Sequence, residues 1–165
     1  MTARLRGEGG FALVEMLIAI VVINVGLLAI LLALTSGVTT LRRSAETSTA
    51  SAIADKQLEK YRAVPFTSIY LDAASVAPAA TDSTYEGDVA YSASQVSQTG
   101  GTLTAVCTPT QTVTGPDGRS YRVDTYIVWA TPAGGAAVKQ ITVVVRRSDL
   151  TATLARVVST AGADF

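Results

Sequence analysis

The chain has 165 residues, no formal net charge from 13 basic and 13 acidic side chains, and 48% apolar residues, a scale that suits one domain plus an anchor. The charge balance leaves no basic block of the kind that marks a nucleic-acid partner. The absence of histidine removes the commonest general base and metal ligand, and the single cysteine, Cys107, excludes an intramolecular disulfide.

Residues 1–10, MTARLRGEGG, form a short leader with Arg4 and Arg6. Residues 11–34 follow as an apolar run in which only Glu15 and Asn24 carry strongly polar side chains, and no proline occurs. At about 1.5 Å per residue they make roughly 36 Å of helix, enough to cross a hydrocarbon core of about 30 Å with some tilt. A secretory signal and a plain single-span anchor are the two simpler readings. The run exceeds the roughly 7–15 residues of a secretory apolar region, and neither reading explains why Gly10, Phe11 and Glu15 occur together. Charge leaves the orientation nearly tied, with Arg4 and Arg6 on one flank and Arg42 and Arg43 on the other. Gly26 serves either close helix packing or a soft point in the helix. Asn24 bonds either a neighbouring helix or its own backbone.

Helical signals persist beyond Leu34. Val38, Leu41 and Ala45, then Ala50, Ala54, Leu58 and Tyr61, recur at spacings of three and four and make one apolar stripe. The pattern predicts one helix over residues 11–62. Its first half, residues 11–34, lies in a membrane or an apolar core; its second half, within residues 35–63, packs one face on a small domain. Pro65 ends it, because the residue before a proline is pushed out of the α region.

Residues 64–165 are expected to form the globular domain. The stretch AASVAPAATDST reads as a low-complexity loop. Val89 and Tyr91 alternate with polar neighbours and suggest a short strand near 86–96, broken by Gly100-Gly101. Residues 102–108, TLTAVCT, suggest another strand, and Gly115-Pro116-Asp117-Gly118 is a turn. Tyr121, Val123, Thr125, Ile127 and Trp129 then alternate against Arg122, Asp124, Tyr126, Val128 and Ala130. Pro132 with Gly134-Gly135 marks the next turn; Ile141, Val143 and Val145 alternate again; residues 153–160 are β-prone. Short connections between three such runs predict an antiparallel meander. A sheet with one apolar face needs a cover, and the stripe on residues 38–61 supplies it. The fold class is therefore α+β: a long N-terminal helix, membrane-spanning in its first half, laid on a small antiparallel sheet.

No catalytic, cofactor or metal constellation is evident. Asp72, Asp82, Glu86 and Asp88 read as solvated loop charge, with a calcium site as the alternative, although their spacing does not match an EF-hand loop. Cys107 reads as a small buried residue, or else as an intermolecular or reactive thiol. Tyr126 and Trp129 read as sheet packing, or else as a binding surface.

Gly10-Phe11-Ala12-Leu13-Val14-Glu15 resembles the processing and methylation site of type IV prepilins and pseudopilins. Asn24-Val25-Gly26-Leu27-Leu28, Ala54-Asp55-Lys56-Gln57-Leu58-Glu59 and Val138-Lys139-Gln140-Ile141-Thr142-Val143 are similar to PilV-type minor pilins and related minor pseudopilins. The resemblance implies a pilin-like lollipop fold, cleavage by a prepilin peptidase between Gly10 and Phe11, N-methylation of Phe11, and subunit assembly through Glu15. It implies a cytoplasmic leader and a single pass of the inner membrane, followed by a place in an extracellular or periplasmic filament. The partners it implies are other major and minor pilins or pseudopilins, an inner-membrane assembly platform and membrane lipid. A minor pilin that initiates or caps a type IV pilus is the leading expectation. A minor pseudopilin of a type II secretion or DNA-uptake system, and an uncut membrane-tethered binding domain, are the alternatives.

Overall fold

The computed structural model describes residues 9–100, 107–149 and 151–163. The chain divides between Ser44 and Ala45 into two units. Helix α1 (Gly9–Arg62) begins in the first and ends in the second. No proline interrupts it, and Lys60 and Arg62 in its last turn complement the negative end of the helix dipole.

In the first unit, the described side chains of α1 from Leu13 onward are all exposed, including Leu17, Ile20, Ile23, Leu27 and Leu31. The most apolar stretch has a mean hydropathy of 3.0, and the helix is long and apolar enough to cross a membrane. Four of its polar side chains bond their own backbone. Asn24 Nδ2 donates to the Ile20 carbonyl at 2.8 Å, and the Thr35, Thr39 and Thr40 hydroxyls donate to carbonyls of the preceding turn.

In the second unit, residues 45–62 of α1 lie on a sheet. A 3₁₀ turn at Phe66–Ser68 leads into β1 (Leu71–Asp72), α2 (Ala73–Ala79), α3 (Ser83–Glu86) and β2 (Ser97–Gln98), with β1 and β2 pairing in parallel. Then come β3 (Thr110–Thr114), β4 (Ser120–Ala130), β5 (Val138–Arg147) and β6 (Thr153–Ala161), an antiparallel meander in the order β3-β4-β5-β6. The β3–β4 turn is the expected one: Gly118 N–H donates to the Gly115 carbonyl at 3.0 Å, and Gly118 has φ +72°, a conformation suited to glycine.

The sheet is covered on both faces, not one. Toward α1, Ala50, Ala54, Leu58 and Tyr61 pack on Tyr121, Val123, Ile127, Ile141, Val143, Val145 and Ala155. Burial of each large apolar side chain here contributes about 1.5–3 kcal/mol. The stripe is shorter than expected, since Val38, Leu41 and Ala45 are exposed. On the other face, Tyr85, Ala79 and partly buried Tyr91 cover Tyr126 and Val144. The row Arg122, Asp124, Tyr126 is thus roofed by residues 72–96.

That roof corrects the expected loop and strand. AASVAPAATDST contains α2 and the first residues of α3, each helix started by an aspartate. Asp72 Oδ2 accepts from Ser75 N–H at 3.0 Å, and Asp82 Oδ1 accepts from Thr84 and Tyr85 N–H at 2.8 and 3.2 Å. Residues 86–96 are not a strand: Val89 is 91% exposed, and strand-like pairing is confined to the end of the stretch, where Gln95 bridges Val128 and the Val96 carbonyl accepts from Leu71 N–H at 2.8 Å. Most of the strand expected at 102–108 lies outside the described residues. Cys107 is buried.

Candidate functional site

Two regions carry groups that the core does not explain. The first is the start of α1. Gly10 and Phe11, the expected cleavage junction, lie in its first turn with helical backbone. Glu15 follows one turn later, exposed among Leu13, Val14, Met16, Leu17 and Ile18, each more than half exposed. Asn24 and Thr35 satisfy themselves within the helix. Glu15 has no hydrogen-bond or ion partner among the described residues. An acidic side chain on an apolar helix surface is expensive in lipid and marks a place where a partner charge is wanted.

The second region is the charged cluster under residues 72–96. Asp124 on β4 is fully buried between Arg122 Nε, 2.8 Å away, and Arg146 Nη1. Arg146 Nη2 also grips Asp88, and Arg156 on β6 donates to both oxygens of Asp88 at 2.8 Å. Arg122 reaches Asp82 at 2.9 Å. Three arginines from β4, β5 and β6 therefore hold three aspartates, two of them from the roof. Burial raises the Asp88 pKa, but the Ala90 N–H and the guanidiniums of Arg156 and Arg146 outweigh it and hold the carboxyl below its usual range. The Arg122 hydrogen bond likewise holds Asp82 low, whereas burial pushes Asp124 up against the pull of Arg122 and Arg146.

These aspartates are not the solvated loop charge that the sequence suggests. Asp72 and Asp82 cap helices, Asp88 is buried in ion pairs, and only Glu86 is exposed as expected. Among the described residues, no group of three or more acidic or cysteine side chains is arranged to hold a metal ion. Sequence reasoning missed Arg122, Arg146 and Arg156. The available signal was their recurrence on one face of β-prone runs otherwise rich in valine.

Tyr126 is core, as expected, but Trp129 is 54% exposed and leans edge-on against Phe66 at 6.0 Å. Beneath both rings, the Lys139 amine donates to the Phe66 and Ile69 carbonyls at 2.8 and 2.7 Å. It fastens the loop after α1 to β5.

No family model matches this chain, and neither does any curated protein or solved structure.

Proposed function

We propose that the chain is a minor pilin subunit of a type IV pilus, made as a membrane-anchored precursor and assembled after removal of residues 1–10. One observation carries this reading: Gly10-Phe11…Glu15 stands at the head of a single apolar helix, α1, whose later residues pack on an antiparallel sheet. In this reading a prepilin peptidase cuts between Gly10 and Phe11, where glycine presents a bare backbone, and Phe11 is N-methylated.

Cleavage makes a positive amine at Phe11. Glu15, exposed one turn away, then neutralises the amine of a neighbouring subunit. In a dry helical contact an unpaired charge is strongly penalised, so this pairing sets the register between subunits. The apolar surface of α1 meets lipid before assembly and other pilin helices after it. An inner-membrane platform transfers the subunit from one to the other, and residues 45–165 then lie outside the cytoplasm.

The test is incorporation. Glu15→Val is expected to be cleaved and inserted like wild type but depleted from sheared filaments. Equal amounts of variant and wild type in the filament fraction, against a membrane-fraction control, would refute the assembly role.

A further inference from the structure

We propose that the folded unit carries a groove and a matching knob for a second copy of this chain: Val89 and Glu86 of one copy dock into the cleft between α1 and the β3–β4 turn of the next. The groove has a volume of about 260 Å³. Its apolar lining comes from Ala52 and Ile53 of α1, Val113 and Pro116 of β3 and the turn after it, and buried Val123 of β4. Lys56 lines it as well, is exposed, and has no hydrogen-bond or ion partner among the described residues. An apolar groove with one unpaired cation in its wall fits an apolar side chain that brings a carboxylate with it.

Val89, 91% exposed, is the most exposed of the large apolar side chains described. It is held out by an anchored turn. Tyr91 N–H donates to the Asp88 carbonyl at 2.9 Å and Ala90 N–H to Asp88 Oδ1 at 2.9 Å, while Arg146 and Arg156 fix the same carboxylate from beneath. A turn tip is ordinarily given to glycine, asparagine, aspartate, serine or proline. Here it presents a branched apolar side chain, and a turn already fixed loses little freedom on docking. Glu86, three residues earlier at the end of α3, is exposed and supplies the carboxylate. It too has no hydrogen-bond or ion partner among the described residues.

Knob and groove belong to opposite faces of the sheet. Residues 72–96 cover the face of Tyr126 and Val144, whereas the groove opens between α1 and the face of Val123. A chain therefore cannot fill its own groove with this knob, but a neighbouring copy can. Each copy offers both surfaces, so the contact is heterologous and runs from copy to copy rather than closing as a twofold pair. Charge singles out the same segment. Asp82, Asp88 and Asp124 are already paired with arginines, which leaves Glu86 as the carboxylate of the roof that can meet Lys56.

The test mixes two versions of the full chain in phosphatidylcholine vesicles, one with Val89→Cys and the other with Ala52→Cys, both at exposed positions. Cysteine is itself a small apolar side chain, so Val89→Cys keeps the knob. Cys107 is buried and stays in place. After mild oxidation, peptide mass spectrometry should find the 52–89 disulfide between copies at least about ten-fold above the 52–52 and 89–89 pairs, as a heterologous contact requires. Lys56→Glu on the groove copy sets like charge against Glu86 and should cut that yield about ten-fold. Glu86→Lys added to the knob copy should restore it.

The proposal is overturned if the 52–89 link is absent or no stronger than the self pairs, if Lys56→Glu leaves it unchanged, or if the double reversal does not restore it. It is also overturned if Ala52→Cys/Leu103→Cys in one chain links within that chain, which would seat residues 101–106 in the groove. A third contrary result comes from the membranes of cells that make both versions: the Ala52→Cys copy linked to a different polypeptide instead of to the Val89→Cys copy. None of these outcomes depends on processing at Gly10, so failure here is distinguishable from failure of the pilin reading.

Discussion

Tyr85 and Tyr126 stack with ring centroids 4.4 Å apart, and the Tyr126 hydroxyl donates to the Tyr85 carbonyl at 3.0 Å. The Tyr85 hydroxyl in turn donates to the Thr125 carbonyl at 2.8 Å. This exchange ties α3 to the centre of β4 and makes residues 72–96 part of the folded unit. Truncation of Tyr85 to alanine should cost about 3–5 kcal/mol of stability, and Tyr85→Phe only about 1–2 kcal/mol. Denaturant unfolding of the micelle-bound chain measures both. A loss under about 1 kcal/mol for Tyr85→Ala would show that the roof is a dispensable cover.

The charged cluster should respond to substitution as a buried network. Arg146→Met leaves Asp124 and Asp88 short of their shared partner and should cost about 3–5 kcal/mol. Asp88→Asn, which keeps the shape and the Ala90 contact, should cost less. Equal losses from the two changes would show that Arg146 contributes through packing alone.

The same cluster sets an acid limb. Asp82 and Asp88 are held below the ordinary 3.8 in the folded chain, so the unfolded chain takes up protons first. Their contribution is fully present above about pH 4 and is lost as pH falls through the folded values. Asp124, pushed up by burial, acts in the opposite sense: its charge costs stability near neutrality, and protonation relieves that cost. An Asp82→Asn/Asp88→Asn variant should therefore lose less stability than wild type between pH 5 and pH 2, measured by equilibrium unfolding. An unchanged slope would remove these two groups from the account.

Lys139 offers a spectroscopic test. Trp129 is the single tryptophan and lies 5.5 Å from the Lys139 amine. Burial lowers the pKa of this amine below 10.5, so the folded chain releases the proton first. The cost of burying the charge is present at neutral pH and relieved as pH rises through the folded value. Tryptophan emission should show a transition below pH 10.5 that Lys139→Met abolishes. Persistence of that transition in Lys139→Met would assign it to another group.

Much of this arrangement is legible in the sequence because its signals are local. Ala50, Ala54, Leu58 and Tyr61 declare a helix face, and Tyr121, Val123 and Ile127 declare a strand. The Gly-Pro-Asp-Gly turn before β4 is declared as well, whereas β3 at Thr110–Thr114, a short run of threonines and one valine, is not among the expected strands. The roof is not legible, because α2 and α3 are too short for periodicity to show. Their only local marks are the capping residues Asp72 and Asp82, in a stretch whose proline and small residues read equally well as loop. The pairing of Asp88 with Arg146 and Arg156 spans tens of residues and exists only once the meander has formed. The cover over the second face of β4 is not legible either, because alternation reveals two faces but not that both are covered. Glu15 stands out in the sequence because an acid in an apolar run is conspicuous, and the structure leaves it exposed on the helix surface.

The central claim rests on what happens at Gly10. The most direct measurement is tandem mass spectrometry of the N-terminal peptide of the chain, extracted from membranes of the cells that make it. The account predicts a mature chain that begins with N-methylated Phe11, followed by Ala12, Leu13, Val14 and Glu15. A mature N-terminus that retains Met1 or Thr2, or one that starts beyond residue 30, would contradict it.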